Sequence, residues 1–256
     1  MGVLKADNVV MQFGGVVAVN NLNIDVEKGR IEALIGPNGA GKTTAFNIIT
    51  GVYIPTKGSV YFNDVNITGM SSDRITHMGI ARTFQNIRLF KNLTVLDNIL
   101  IANHLHVKSN FISSTLRMPW ARTEEKDMRE KSEMLLDKLG LLHLKNEISS
   151  SLPYGEQRKL EIARALATDA TLLLLDEPAA GMNPYETEQL AKFIYTIRDE
   201  FNLTIFMIEH HMDLVMKISD KIYVLDFGQL IAEGTAEKVK NDPKVIEAYL
   251  GVEEDA

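Results

Sequence analysis

A glycine-rich segment with one lysine and two threonines carries the chemistry that the sequence shows most plainly. It matches the pattern G-x-x-x-x-G-K followed by Ser or Thr, between a predicted strand and a predicted helix. In such a loop, backbone N–H groups converge on phosphate oxygens. We expect Lys42 to reach the terminal phosphates of a nucleotide and Thr43 to offer its hydroxyl to Mg²⁺. The predicted phosphate-binding residues are Gly36, Pro37, Asn38, Gly39, Ala40, Gly41, Lys42, Thr43 and Thr44.

A pair of acids follows the apolar run 172–175, which predicts a buried strand. Ligands of open α/β sheets bind at the carboxyl ends of strands, where Asp176 and Glu177 would lie. We expect Asp176 to bind Mg²⁺ through its water shell and Glu177 to orient and polarise an attacking water. Two acids after a strand are also common as a solvated turn, but the phosphate loop in the same chain favours the catalytic interpretation.

Strands and helices that would position these residues alternate along the chain. Apolar periodicity and turn residues predict strands at 9–13, 16–19, 22–26, 31–35, 60–62, 80–84, 172–175 and 203–208. The same signals predict helices at 43–49, 71–78, 155–167, 184–200 and 212–218, with a hairpin over 221–232. From residue 94 to about 142 the pattern is mainly helical. Together these elements predict an α/β fold with one inserted helical subdomain.

Composition and charge indicate a globular protein and argue against several other classes of protein. With 45% hydrophobic and 24% charged residues, the 256-residue chain has the composition of an ordinary globular protein. The formal charge of −7 argues against a surface that coats nucleic acid, so we expect no nucleic-acid partner. The lack of cysteine excludes disulfides and thiol chemistry. Because neither a secretory leader nor a run of about 18 apolar residues is visible, we expect any membrane role to depend on a partner.

The segment 152–160, LPYGEQRKL, precedes the acidic strand end and opens a predicted helix. It resembles the LSGGQ signature of the ABC ATPase family. With this signature, the other motifs of the family also occur in the expected order along the chain. By this resemblance, Gln85 touches Mg²⁺ and the attacking water, His210 contacts the γ-phosphate, Phe13 stacks on adenine, and 179–183 is the D-loop. Taken alone, an aromatic residue in a strand is usually core and a histidine is usually structural.

The resemblance also implies a fold and an assembly. It implies a P-loop NTPase (RecA-like) core with an N-terminal antiparallel β subdomain over 1–85 and 166–256, and a helical signature subdomain over 86–165. In this family the signature of one subunit covers the ATP held by another, so catalysis requires a second ABC ATPase subunit, identical or different. The residues that would contact ATP in trans are Pro153, Tyr154, Gly155 and Glu156.

Three positions depart from the family pattern. Pro153 stands for the signature serine and supplies neither a hydroxyl nor an N–H. Glu156 replaces the signature glutamine and adds negative charge close to phosphate, and Asn183 replaces the usual D-loop aspartate. Because the lysine, the two acids and the histidine named above are unchanged, we expect ATP hydrolysis to be retained, with an altered rate and cooperativity.

Further segments narrow the resemblance to the branched-chain amino-acid importer ATPases of bacteria and archaea. They are GIARTFQN at 79–86, DEPAAGMNP at 176–184, IEH at 208–210 and AYLG at 248–251. This narrower resemblance implies ATP and Mg²⁺ as cofactors and transmembrane permease subunits as partners, with a solute-binding protein as an indirect partner. It also implies a peripheral place at the cytoplasmic face of the membrane.

An apolar segment within the helical insertion has two interpretations. It contains Phe111, Ile112, Leu116, Met118, Pro119 and Trp120. These residues predict either a satellite core or a docking surface for the permease, because the segment follows the glutamine loop.

Two other classes of protein stay open at this point. A soluble ABC ATPase that acts on ribosomes usually carries two ATPase domains, and one that acts on DNA carries long coiled coils; this sequence predicts neither. A non-catalytic scaffold that uses ATP only to assemble gains support from Pro153, whereas Glu177 and His210 favour hydrolysis. The residues themselves identify neither the solute nor the permease.

Overall fold

The computed structural model describes residues 2–103, 105 and 119–250. It divides into two compact units, Met1–Gln85 with Thr171–Ala256, and Asn86–Ala170. The first unit contains two β-sheets and the second contains helices joined by loops. The apolar segment from Phe111 to Trp120 lies outside the residues whose side chains are described. Among the described residues, no helix combines the length and the apolar character that crossing a bilayer requires.

Strands and helices are numbered in chain order. The strands are β1 (Gly2–Phe13), β2 (Val16–Glu27), β3 (Ile31–Ile35), β4 (Lys57–Phe62), β5 (Val65–Asn66), β6 (Ile80–Arg82), β7 (Leu172–Asp176), β8 (Thr204–Ile208), β9 (Lys221–Asp226) and β10 (Gln229–Gly234). The helices are α1 (Lys42–Ile49), α2 (Ser72–His77), α3 (Val95–Asn103), α4 (Pro119–Lys138), α5 (Tyr154–Leu166), α6 (Pro184–Phe201), α7 (Met212–Ile218), α8 (Ala236–Lys240) and α9 (Pro243–Leu250).

A six-stranded mixed sheet forms the centre of the first unit, in the order β10-β9-β3-β8-β7-β6. Strands β9, β3, β8, β7 and β6 pair in parallel, and β10 pairs antiparallel to β9. Every residue of β3, β7 and β8 is buried, which explains their nearly continuous apolar sequences. Because neighbouring parallel strands end at the same edge, the segments that follow β3, β7 and β8 meet there.

A four-stranded antiparallel sheet, in the order β2-β1-β4-β5, forms the other half of this unit. The sequence predicts separate strands at 16–19 and 22–26, whereas β2 is continuous. Asn21 adopts a φ of 53°, and the pairing with β1 shifts by one residue between Val9↔Leu22 and Met11↔Val19. Asn20 and Asn21, the polar pair between the two predicted strands, therefore lie in a bulge of one continuous strand.

The second unit is built on α3, which contacts both α4 and α5. Inside it, the amide of Asn103 donates a 2.7 Å hydrogen bond to the hydroxyl of Ser132, and both residues are buried. An isolated bridge between Thr94 and Ile148 joins the two ends of the helical segment. The signature residues at the start of α5 therefore belong to a unit with its own internal contacts.

Candidate functional site

The predicted phosphate loop connects β3 to α1, and its glycines have backbone geometries that other residues rarely adopt. Gly36 has a φ of 149° and Gly41 a φ of 100°. A Cβ on Gly36 would lie 2.0 Å from the carbonyl oxygen of Leu225, and one on Gly41 would lie 2.4 Å from that of Ala18. Both glycines are therefore required by backbone that packs against the loop as well as by their dihedral angles.

Lys42 is held inside the loop that precedes it. Its ammonium donates hydrogen bonds of 2.7 Å to the carbonyl of Gly36 and 2.8 Å to that of Pro37. Burial lowers the pKa of Lys42, and attraction to Glu177 partly offsets this effect. Asn38 and Gly39 at the tip of the loop are exposed, as is Thr43. The loop thus combines a buried cation with a solvent-accessible tip.

The two predicted acids at the end of β7 differ in their surroundings. Asp176 is buried and forms an ion pair with Arg82, with 2.6 Å between its Oδ2 and the arginine Nη2. Glu177 has a φ of 46°, and its backbone N–H donates to the carbonyl of Ile208. This left-handed conformation turns the chain sharply at the strand end, so the two adjacent carboxylates serve different contacts.

Gln85 and His210 both lie beside the carboxylate of Glu177. The Gln85 amide donates a 2.6 Å hydrogen bond to Glu177 Oε2, and His210 Nδ1 lies 3.5 Å from the same oxygen. Three residues that the sequence predicts to be catalytic, far apart along the chain, are thus brought together at one edge of the sheet. A carboxylate in this setting can orient a water and accept its proton.

Glu209 is a functional candidate that the sequence analysis missed. It is fully buried between the ends of β7 and β8. Its Oε1 accepts a 2.9 Å hydrogen bond from the N–H of Ala179 in the D-loop, and its Oε2 accepts bonds of 2.7 Å and 3.0 Å from the N–H groups of His210 and His211. It therefore fixes the D-loop to the segment of His210. An acid directly after an apolar strand, as at Asp176, was the signal that could have revealed it.

Phe13 ends β1 with its ring partly in solvent, at 43% exposure. It packs edge-on against Tyr53, with 5.2 Å between ring centroids and 75° between ring planes. An aromatic side chain of the core would be buried, so the exposure of Phe13 is compatible with a stacking role.

The signature segment is organised within the second unit. Pro153 occupies the N-cap position of α5 without a side-chain capping hydrogen bond, Tyr154 is exposed, and a Cβ on Gly155 would meet open space. Arg158, which is fully buried, lies 2.7 Å from Glu161 and donates to the Tyr154 hydroxyl. Glu156 pairs with Lys159 at 3.0 Å. The contact of these residues with nucleotide in a second chain stays a prediction.

Asn183, which departs from the family's aspartate, has a local structural role. Its side chain accepts a hydrogen bond from the N–H of Glu186, and the Glu186 carboxylate accepts one from the N–H of Asn183. This is a capping box at the start of α6, with Pro184 in the first turn. An asparagine caps a helix as well as an aspartate does, so the substitution preserves the end of the D-loop.

The residues present fit a magnesium nucleotide. Thr43, Gln85 and Asp176 offer hydroxyl, amide and carboxylate oxygens, which are the donors that Mg²⁺ prefers. A Cβ on Gly39 would meet no atom within 4 Å, so the tip of the loop is open to an approaching ligand. This combination of hard oxygen donors and a glycine cradle is suited to a phosphorylated ligand.

Known proteins resemble this chain over nearly its whole length. A family model described as ABC transporter matches residues 19–180, and one described as Branched-chain amino acid ATP-binding cassette transporter matches residues 229–255. The chain is 46% identical over 248 residues to the high-affinity branched-chain amino acid transport ATP-binding protein LivG of Escherichia coli, covering 97% of each chain. It is 44% identical over 249 residues to BraF of Pseudomonas aeruginosa, which has the same description, covering 97% of this chain and 98% of the relative.

A solved structure is similar over the same length. It is the ADP conformation of an ATP-binding cassette of an ABC transporter, with 35% sequence identity and a TM-score of 0.85, covering 98% of this chain and 99% of that one. The resemblance inferred from the motifs and the predicted α/β architecture are both confirmed by these matches.

Proposed function

The chain belongs to the ABC transporter family, and we propose that it hydrolyses ATP to power the uptake of branched-chain amino acids through a membrane permease. LivG and BraF are described as branched-chain amino acid transport ATP-binding proteins, which supports this solute, as does the family model that matches residues 229–255. They also favour an importer over a soluble ABC ATPase that acts on ribosomes or DNA.

The observation that carries the catalytic part of the proposal is the convergence of Glu177, Gln85 and His210 at the strand ends beside the phosphate loop. Glu177 would take the proton of the attacking water, while Gln85 holds its carboxylate in place. Lys42 would stabilise negative charge on the β and γ phosphates. His210 would contact the γ-phosphate.

The remaining site residues would bind the nucleotide. Phe13 would stack on the adenine, and the backbone of the loop from Gly36 to Thr44 would bind the phosphates. Thr43, Gln85 and Asp176 would hold Mg²⁺. When bound, this ion neutralises charge on the phosphates, so that positioning by the protein can carry the phosphoryl transfer.

The second half of the site would come from another ABC ATPase subunit. Its residues equivalent to Pro153, Tyr154, Gly155 and Glu156 would cover the γ-phosphate, with the N-terminus of α5 supplying positive dipole. The pair would attach to transmembrane permease subunits at the cytoplasmic face of the membrane. A solute-binding protein would deliver the solute on the other side.

Steady-state phosphate release from the purified chain and from the Glu177→Gln variant tests this function. We expect the variant to hydrolyse ATP at least about 100-fold more slowly, because general-base catalysis typically contributes 10²- to 10⁴-fold. Binding of a fluorescent ATP analogue should be retained, since Gln has nearly the same shape and Gln85 keeps an oxygen to which it can donate.

The control is Glu237→Gln, a substitution in α8 away from the strand ends, which should leave the rate unchanged. Equal phosphate release from the Glu177→Gln variant and the unmodified chain would contradict the catalytic proposal and favour an ATP-dependent scaffold.

A further inference from the structure

Arg82 lies at the end of β6 and joins three elements of the first unit. Its Nη2 pairs with Asp176 Oδ2 at 2.6 Å. Its Nη1 donates hydrogen bonds of 2.8 Å to the amide oxygen of Asn47 and 3.2 Å to the hydroxyl of Thr50. One guanidinium therefore connects the end of β7 to helix α1 and its C-terminal cap.

Each of these elements carries part of the proposed magnesium site. Helix α1 begins with Lys42 and Thr43, β7 ends at Asp176, and β6 leads into Gln85. The distances among the Thr43 hydroxyl, the Asp176 carboxylate and the Gln85 amide thus depend on how α1, β7 and β6 are held together. Arg82 bonds to both α1 and β7.

The ion pair is buried, and its geometry is specific to arginine. The side chain of Arg82 is 7% exposed and that of Asp176 is 9% exposed. The guanidinium also lies over the rings of Phe46 and Phe84, at 5.6 Å and 5.2 Å from their centroids. Burying two charges costs desolvation energy, so such a pair is weak evidence for stability alone. The planar guanidinium donates hydrogen bonds in two directions and so defines the orientation of the Asp176 carboxylate. A lysine ammonium cannot reproduce this geometry.

We propose that Arg82 is a positioning residue that sets the Mg²⁺ affinity of the nucleotide site by fixing the Asp176 carboxylate relative to α1. The inference rests on the proposed function, because it concerns the ion that Asp176 would hold. Partners that orient a metal ligand typically change metal affinity by 10- to 100-fold when they are lost. Because Oδ2 of Asp176 is bonded to Arg82, the carboxylate cannot rotate freely. Its other oxygen, Oδ1, therefore keeps a fixed direction relative to α1.

Binding of the fluorescent nucleotide mant-ATP, titrated with Mg²⁺, tests the proposal without requiring turnover. Arg82→Lys keeps the positive charge beside Asp176 but removes the fork that also reaches Asn47. We expect the half-saturating Mg²⁺ concentration to rise about tenfold. Binding of mant-ATP in the presence of EDTA should change by less than about twofold, because the phosphate loop is intact.

Asn47→Ala is the second variant, because it removes the shorter of the two hydrogen bonds from Arg82 to the α1 side and leaves the bond to Thr50 and the Arg82–Asp176 pair in place. It should raise the half-saturating Mg²⁺ concentration in the same direction by a smaller factor, and it decides the matter if Arg82→Lys does not fold. The matched control is Arg198→Lys, which alters a partly exposed arginine paired with Asp199 and should leave the half-saturating Mg²⁺ concentration unchanged.

An unchanged half-saturating Mg²⁺ concentration in both site variants would overturn the proposal. So would an equal loss of affinity for mant-ATP with and without Mg²⁺, since general damage to the site would produce it. If the unmodified chain does not bind mant-ATP at all, with or without Mg²⁺, the proposed function itself fails. The two failures are therefore distinguishable.

Discussion

Buried charged side chains at the candidate site have specific partners. The ammonium of Lys42 donates to two loop carbonyls, Asp176 pairs with Arg82, and Glu209 accepts backbone N–H groups from both the D-loop and the His210 segment. A buried charge without such partners would be unfavourable by several kcal/mol. These contacts hold the charges in defined directions, which a site for phosphoryl transfer needs because positioning carries most of the catalysis.

Glu32 is a buried carboxyl group away from these strand ends, and it predicts a pH dependence of stability. Burial raises the pKa of Glu32 to about 7, although its hydrogen bond from the N–H of Glu27 and the charge of Lys221 act in the opposite direction. The folded chain therefore binds a proton between about pH 4.5 and 7 that the unfolded chain releases. This contribution to the free energy of unfolding is present at acid pH and is lost as the pH rises through 7.

Glu32→Gln should remove this pH dependence, because glutamine resembles the protonated carboxyl group. From the size of the pKa shift, the unmodified chain should lose about 3 kcal/mol of unfolding free energy between pH 4.5 and 8 through this residue, and the variant should not. Urea unfolding at both pH values measures the difference. The exposed Glu130→Gln serves as control, and a variant as pH-dependent as the unmodified chain would refute the assignment.

At the scale of elements, three parallel strand ends bring the site residues together. The phosphate loop follows β3, Asp176 ends β7 with Glu177 directly after it, and Glu209 and His210 follow β8. Hydrogen bonds at the helix ends then hold the connecting segments in place. The capping box at the start of α6 is the clearest example. The D-loop, 179–183, lies between the backbone hydrogen bond of Glu177 to Ile208 and this cap, so its conformation is defined at both ends.

Asn183→Ala should weaken the cap and lower stability. An alanine cannot accept the hydrogen bond from the N–H of Glu186, and loss of such a cap costs about 1 kcal/mol. Asn183→Asp should restore the family's aspartate and keep the stability of the unmodified chain, because both residues cap well. Chemical denaturation of the three proteins measures this; an alanine variant as stable as the other two would show that the cap contributes nothing.

The sequence predicts the elements of this site better than it predicts their connections. Apolar runs and turn residues locate β3, β7, β8 and the helices near their observed bounds, since burial on both faces leaves a plain pattern. The sequence does not predict the bulge at Asn21, because the polar pair Asn20-Asn21 indicates the end of one strand and the start of another. Arg82 and Glu209 are missed because their roles depend on partners more than 25 residues away, which spacing along the chain does not reveal.

At the scale of the whole molecule, the motifs are divided between two compact units. The phosphate loop, the acids, Gln85 and His210 belong to the first unit, and the signature residues belong to the second. Within the second unit, the buried Arg158 bonds to both Glu161 and Tyr154, so the start of α5 is held by its own contacts. Such a unit can present its signature residues to the nucleotide of another chain, as the proposed dimer requires.

The mass of the Glu177→Gln variant in solution, measured by light scattering with saturating Mg-ATP and with Mg-ADP, tests the central claim most directly. With hydrolysis blocked, ATP should stay between two chains, and the mass should double from the 28.6 kDa of one chain only in ATP. A mass that remains at 28.6 kDa in Mg-ATP, at the highest protein concentration that stays soluble, would contradict the claim that two copies of this chain enclose the nucleotide.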